Sequence, residues 1–482
     1  MREKGIFTWL SVPNKSHIWI LLVLGILVLL FPIIFRMFTV SGALIGAESY
    51  DNLNWAEKNS FSSLKLQDFS NDPYFGERGW FVVLSLAPLF LSKWLPFLLG
   101  ILSFMLFYLI VNKIQRGYSF LATLLLIFSP ISIYLFSTST KYCAALFLSL
   151  LVAYYYLNSK RKLALLIFFL TSFFSFLCAI FLFLIYLFYV LYNKRGKSIG
   201  LVYTILLLVS SFIVQFGYLL YYIGSPSQFF MIDFTFLSIL GNLFTDLGSI
   251  CGFGAFFFII SLFGIFYKYK EKYHFYLVYC GLILLLVMSV YFGFLLFYLN
   301  IILAFFVAVG ISRLILIQWK ADVVKKLVIL FLICGLIFSF ISYTDRFASS
   351  YPTKDVFKAM KFLKNEGGTG VVLSDPSRAG FIRYGNNIPL VSNDVLFYQI
   401  PEQRLSDISW FYTLSNYENA EEVITKYNVT LIWIDKEMRN KLWNGNDEEI
   451  LSLMKYGFQK FFNAYASKEI NIWEYMPDVE AN

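Results

Sequence analysis

Charge is what this chain has least of: 14% of its 482 residues are Asp, Glu, Lys or Arg, against about 25% in a soluble globular protein. That scarcity excludes an ordinary soluble globule. The deficit is uneven. Long apolar runs fill residues 1–345, while residues 346–482 are rich in Lys, Glu, Asp and Asn, so the composition places a domain boundary near Asp345-Arg346. Histidine is almost absent: His17 and His274 are the only two, which argues against a histidine-based metal centre. The five cysteines, Cys143, Cys178, Cys251, Cys280 and Cys334, all lie in apolar runs, and no pair has metal-ligand spacing. They read as small buried hydrophobes. The formal charge of +9 does not indicate a nucleic-acid partner, because the basic residues sit in short clusters between apolar runs.

What is present in quantity is apolar length. A helix needs about 20 apolar residues to cross the hydrocarbon core. On that measure about eleven spans are expected, at 18–38, 95–112, 118–136, 141–158, 163–178, 179–192, 199–223, 250–267, 273–291, 295–313 and 327–345. The stretch 79–93, interrupted by Ser85, Pro88, Ser92 and Lys93, reads as a helix lying on the membrane surface. A cytoplasmic N-terminus puts every basic cluster on one side: Lys15, then Lys113 and Arg116, then Lys160, Arg161 and Lys162, then Lys194, Arg195 and Lys197, then Lys268 and Lys270, then Arg313, Lys325 and Lys326. An odd number of spans then places residues 346–482 outside the cell. The expected architecture is a multi-pass α-helical membrane protein with an extracytoplasmic C-terminal α/β domain.

In that C-terminal part, Val356, Met360 and Leu363 have helical spacing, and Gly367-Gly368 ends the pattern. Val371–Leu373, 430–434 and Ile470–Tyr475 read as short strands, with a further helix at 418–427. The outside loop 39–94 is long, and it mixes Glu48, Asp51, Asp72, Glu77 and Arg78 with Trp55, Tyr74 and Trp80. Loops of that length tend to be functional or disordered, and the aromatic content favours ordered packing at a membrane surface. Asp233 and Asp246 read as surface acids.

Four features carry a family resemblance. The first helix runs into Gly46-Ala47-Glu48-Ser49-Tyr50-Asp51-Asn52-Leu53-Asn54-Trp55-Ala56, and the loop closes on Asn71-Asp72-Pro73-Tyr74-Phe75-Gly76-Glu77-Arg78-Gly79-Trp80. Ser129-Pro130 ends a helix before a short turn and a new helix at Lys141, and 421–435 reads helix, Lys-Tyr-Asn-Val, strand, Asp. This layout resembles the GT-C class of membrane glycosyltransferases, relatives of oligosaccharyltransferase catalytic subunits that use lipid-linked sugar donors. The resemblance implies sugar transfer from a polyprenyl-phosphate-linked donor to a protein, lipid or glycan acceptor outside the cell. It makes Glu48 the candidate acid/base residue with Asp51 in reserve, Arg78 and Lys141 the candidates for donor phosphate, and Asp72 and Tyr50 candidates for the acceptor or for shaping the loop. No metal ligand is assigned, although some members of the class hold a divalent metal.

This chain departs from the class pattern in several places. Ala47-Glu48 stands where many relatives have an Asp-Glu pair, and the turn 137–142 has no carboxylate. The Trp-Trp-Asp-Tyr-Gly acceptor motif is missing, and no phosphate-binding arginine is found near Tyr298. Transfer of a whole oligosaccharide to asparagine, a lipid-linked-substrate flippase, a divergent or inactive member of the class and a non-catalytic membrane scaffold stay open as alternatives. The enzyme predicts a donor-sized groove ending at Glu48; the scaffold predicts none there.

Overall fold

The computed structural model describes residues 15–39, 44–58, 79–86, 89–192, 236–271, 276–317, 319–366, 370–385, 388–389, 406–408, 411–412, 417–443 and 461–475, with single helical positions at 202, 206 and 209. Helix α1 (Lys15–Thr39) is followed by α2 (Ala47–Lys58), α3 (Gly79–Leu86) and α4 (Leu89–Ile114). Next come α5 (Ser119–Ile127), α6 (Pro130–Ser137), α7 (Lys141–Leu157), α8 (Arg161–Phe174) and α9 (Phe176–Tyr192). The second half of the bundle holds α10 (Phe236–Leu243), α11 (Ala255–Glu271), α12 (Tyr276–Tyr291), α13 (Leu295–Leu316) and α14 (Asp322–Ala348).

Among the described residues four helices, α1, α4, α13 and α14, are long and apolar enough to cross a membrane, or five with α5 and α6 taken as one broken span. The chain is a membrane protein on that ground; of the about eleven expected spans, four or five are this long among the described residues. Several expected spans are shorter or broken. The run 118–136 bends by 62° between α5 and α6, where Ser129 caps the new helix and Pro130 opens it. The run 163–192 forms two helices as expected, α8 and α9, with the break at Ser175 rather than at 178. Helix α7, at 17 residues, rises only about 26 Å, short of a 30 Å core. The expected span 199–223 lies almost wholly outside the described residues.

Residues 79–93 do not form one surface helix. Trp80 and Leu84 of α3 are buried, and Leu89–Lys93 already belongs to α4. The cysteines also divide. Cys143 and Cys178 are buried as expected, whereas Cys280 and Cys334 are exposed on the outer, apolar faces of α12 and α14, where lipid rather than protein would cover them. Asp246 is more than a surface acid: its carboxylate accepts from the Ala255 N–H at the start of α11 (2.6 Å) and from Ser339 Oγ (3.1 Å).

Helices α11 and α13 cross closely. A Cβ at Gly264 would overlap the Phe306 carbonyl oxygen, and one at Gly310 would stand 2.6 Å from that of Ile260. Small residues at such a crossing let two backbones approach, which is a main source of helix association in lipid.

Beyond α14, α15 (Lys354–Asn365) buries Val356, Ala359, Met360 and Leu363, one helical stripe. Strand β1 (Val371–Leu373) leads to α16 (Ala379–Tyr384) and β2 (Ile388–Pro389). Then come α17 (Tyr417–Tyr427), β3 (Val429–Asp435), α18 (Lys436–Trp443), β4 (Phe461–Ala466) and β5 (Ile470–Tyr475). The sheet order is β2-β1-β3-β5-β4, with β1 parallel to β2 and β3, and β5 antiparallel to β3 and β4. The central β3 is buried along nearly its whole length, as a strand covered on both faces should be. Asn428, with φ of 50°, makes the sharp turn from α17 into β3.

Arg36 joins the two regions. It is fully buried near the end of α1. It donates to the carbonyls of Leu44 (2.9 Å), Ala348 (3.1 Å), Ser350 (2.5 Å) and Pro352 (2.6 Å). One guanidinium thus ties the chain entering α2 to the chain leaving α14.

Candidate active site

Helix α2 lies between the bundle and the sheet region, and its sequence explains why. Ser49 and Asn52, three apart, face the bundle. The Ser49 hydroxyl accepts from the Ser139 N–H (2.9 Å), and the Asn52 amide donates to the Ser139 carbonyl (2.6 Å). Both backbone groups of Ser139, in the turn before α7, are therefore held by one helix. Tyr50 and Leu53, also three apart, are buried in the core of the sheet region with Val356, Met360 and Phe381. Helix α16 comes so close that a Cβ at Gly380 would overlap the Ala47 carbonyl oxygen. Position 380 therefore has no room for a side chain.

Glu48 stands in the first turn of this pinned helix, exposed, where the helix dipole favours a carboxylate. It lies within electrostatic range of Tyr134 and Cys143, which places it over the α6–α7 turn. Asp51 lies one turn on. Arg383 holds it through two bonds, Nε to Oδ1 at 2.6 Å and Nη2 to Oδ2 at 2.7 Å. Asn54 binds the Arg383 carbonyl in turn (2.7 Å).

Tyr50 is 3% exposed, donates its hydroxyl to the Leu44 carbonyl (3.3 Å) and packs edge-on against Phe381 and Tyr384. Burial pushes its phenol well above the ordinary value, against the opposing charge of Arg36, so it stays neutral. Lys141 opens α7 with its ammonium 5.4 Å from the Tyr142 ring centroid, two residues past Ser139. Glu48 and Lys141 thus flank the turn that holds Ser139, Asp51 is paired with Arg383 of the sheet region, and Tyr50 lies in a core. Asp72 and Arg78 lie outside the described residues.

Beneath α2 the hydroxyls of Ser137, Ser139 and Thr140 are buried without a hydrogen-bond partner, a polar floor of unused donors. Arg36, Arg383, Ser49 and Asn52, which position this site, carried no signal in isolation. The i, i+3 repeat of polar and apolar residues through 48–54 is the pattern that betrays a helix with two partners. Among the described residues no group of three His, Cys, Asp or Glu side chains gathers as a metal site. Glu48 has hydroxyls rather than carboxylates across the turn, and Asp51 is committed to Arg383. Among the described residues this set of side chains does not fit a metal.

A groove of about 410 Å³ is lined by Ile114, Ser149, Leu157, Arg161 and Leu182, among others. It opens at the C-terminal end of α7, whereas Glu48 sits at the N-terminal end, so this groove does not reach Glu48.

No protein-family model matches the sequence, and no curated protein matches it. Solved structures do. The archaeal oligosaccharyltransferase AglB from Archaeoglobus fulgidus, in complex with an inhibitory peptide and a dolichol-phosphate, superposes with a TM-score of 0.61 at 13% identity, covering 97% of this chain and 75% of that one. The Archaeoglobus fulgidus oligosaccharyltransferase complex with Zn and sulfate gives 0.59 at 14% identity, over 95% and 73% of the two chains. The form tethered to an acceptor peptide containing the NVT sequon gives 0.56 at 13% identity, over 96% and 75%. The fold of this chain is therefore similar to that of these oligosaccharyltransferases, in keeping with the layout read from its sequence. At 13–14% identity the likeness speaks for the fold alone.

Proposed function

We propose that this protein is a membrane glycosyltransferase that moves a sugar from a polyprenyl-phosphate-linked donor to an acceptor, with Glu48 as the acid/base residue. One observation carries the reading: in a fold shared with an oligosaccharyltransferase, an exposed carboxylate stands on a helix pinned from both sides. Pinning matters because a catalytic base must be held in place, not only present. In the reaction, Glu48 takes the proton of the acceptor hydroxyl or amide. The acceptor atom bonds to the anomeric carbon, and the carbon–oxygen bond to phosphate breaks. The phosphate leaves with the electron pair, toward Lys141 and Arg78. Asp51, bound by Arg383, serves as a positioning residue, as does Tyr50 from its core. Asp72 is left to the acceptor or to the shape of its loop.

The neighbouring structures' dolichol-phosphate and acceptor peptide favour a lipid-linked donor, and a peptide is one acceptor class to test. For orientation we propose a cytoplasmic N-terminus, a membrane part up to residue 345 in which the shorter apolar helices also lie in the bilayer, and residues 346–482 outside. The helix ends that carry Lys113, Lys160, Arg161, Lys268 and Arg313 all lie away from Glu48, which supports this sidedness.

The test is transfer from radiolabelled polyprenyl-phosphate sugars in membranes holding the full chain. Glu48→Gln is expected to lower the rate by about 10²–10⁴-fold with folding intact. An unchanged rate would remove Glu48 from the chemistry. No transfer from a broad donor panel would move the weight to a flippase or a scaffold.

A further inference from the structure

The groove at the far end of the bundle lies apart from the turn beneath Glu48. Its walls come from α4, α7, α8 and α9, and they are apolar except at the rim. Leu157 and Arg161 line it at the α7–α8 turn, and Ser149, whose hydroxyl is taken up by the Ala145 carbonyl and Tyr298, lines it farther along α7. The eight steps from Ser149 to Leu157 give it a length of about 12 Å along α7. Its 410 Å³ is the size of a small-molecule cavity, but it holds almost no polar group to orient a sugar or a nucleotide. An alkyl chain is what such walls accept.

The rim has the opposite character. Arg161 lines it, half-buried, and the flanking Lys160 and Lys162 are exposed. Lys113, at the end of α4, bridges to Asn158 in the α7–α8 turn, and exposed Arg116 follows it. No acidic residue occurs in the sequence between Glu77 and Asp233, so none of the four helices that build this groove supplies a carboxylate to offset the rim. A basic rim over an apolar slot is complementary to a negative headgroup joined to a hydrocarbon tail.

We propose that this groove binds an anionic glycerophospholipid, one acyl chain between α7, α8 and α9 and the phosphate at Arg161, in the leaflet opposite Glu48. The bidentate guanidinium suits a phosphodiester, and the lysines add charge around it.

The test uses the full-length chain in mild detergent, with phosphatidylglycerol and phosphatidylcholine of identical acyl chains in equal amounts and retained lipid read by native mass spectrometry. Phosphatidylglycerol is expected to be retained in preference. Arg161→Gln is expected to lower that preference about fivefold, the effect of one basic residue near an anionic surface. Arg161→Lys should keep most of it. Ala153→Trp, which fills the slot, should release both lipids. Arg161→Gln sits at the rim, so its reading does not depend on whether Ala153→Trp folds. Equal retention of the two lipids, or a preference untouched by Arg161→Gln, would overturn the proposal. So would displacement of phosphatidylglycerol by equimolar polyprenyl phosphate, which would make the groove a donor-chain site.

Discussion

In the bundle, Thr123, Ser149 and Thr171 each donate a hydroxyl to the carbonyl four residues back, and Asn300 shares its amide between Ser129 (2.8 Å) and Ser132 (3.1 Å). In the sheet region, polar burial takes an ionic form. Asp435 is fully buried and accepts from Arg378 Nε (2.6 Å), Trp433 Nε1 (3.2 Å) and the Met438 N–H (2.9 Å), while Glu437 takes the other arm of Arg378. Burial alone would lower the Arg378 guanidinium, but Asp435 and Glu437 outweigh it and hold it above its ordinary value. The bundle satisfies neutral groups mostly within one helix or between neighbours. The sheet region satisfies charges across long stretches of sequence. Helix α2 belongs to both, hydrogen-bonding one way toward Ser139 and ion-pairing the other way through Asp51.

The sharpest way to break this contrast is to remove one member of each kind. Asp435→Asn leaves the buried Arg378 charge with only the exposed Glu437 to pair it and is expected to cost up to about 3 kcal/mol. Asn300→Leu removes a neutral interhelical contact, and about 0.6 kcal/mol is expected. Thermal unfolding of both variants in the same detergent decides it; similar losses would mean that the two regions do not differ as argued. Next in size is Gly380→Ala, aimed at the helix between them. The added methyl meets the Ala47 backbone, so overpacking of about 1–3 kcal/mol is expected. Because α2 carries Glu48, transfer should fall further than the stability loss explains. A variant with native activity would show that the position of α2 is immaterial to the site.

The same contrast explains what could be read from the sequence. Helix α15, β1, β3 and β5 were legible because their apolar periodicity is local, and the strands at Val371–Leu373 and Ile470–Tyr475 coincide with the expected ones. Glu48 was legible as an acid following a membrane helix. The break at Ser175 was legible to within three residues as a split of the run 163–192, whereas the 62° bend at Pro130 was not, because hydropathy measures apolar length and is blind to a bend inside one run. Nor could Arg36 or Arg383 be read. Leu44 is close to Arg36 in sequence, but its other carbonyl acceptors are more than 300 residues away, and so is Asp51 from Arg383. Pairings of that range exist only once the chain has folded.

The smallest effect is expected from the most solvated of these ion pairs. Asp407 accepts from Lys426 Nζ (2.7 Å) and from the Tyr427 hydroxyl (2.7 Å), and Lys426 is 38% exposed. The bond from Lys426 holds the Asp407 carboxyl below its usual range, and the bond to Asp407 raises Lys426 in turn. For a depressed carboxyl, the stabilisation is present above its unfolded pKa of about 3.9 and is lost as pH falls through the lower folded value. For the raised lysine, it is present below about 10.4 and is lost as pH rises through the higher folded value. Between those limits the contribution is flat. Asp407→Asn should therefore lower the unfolding temperature slightly and by a constant amount from about pH 5 to 9, with the gap to the native chain closing below about pH 4. Water screens this pair, so the gap should also shrink in high salt. A gap that persists unchanged at pH 3 would mean that Asp407 acts through its neutral contacts with Tyr427, and the sheet region would then rely on ionic pairing only where Asp435 is buried.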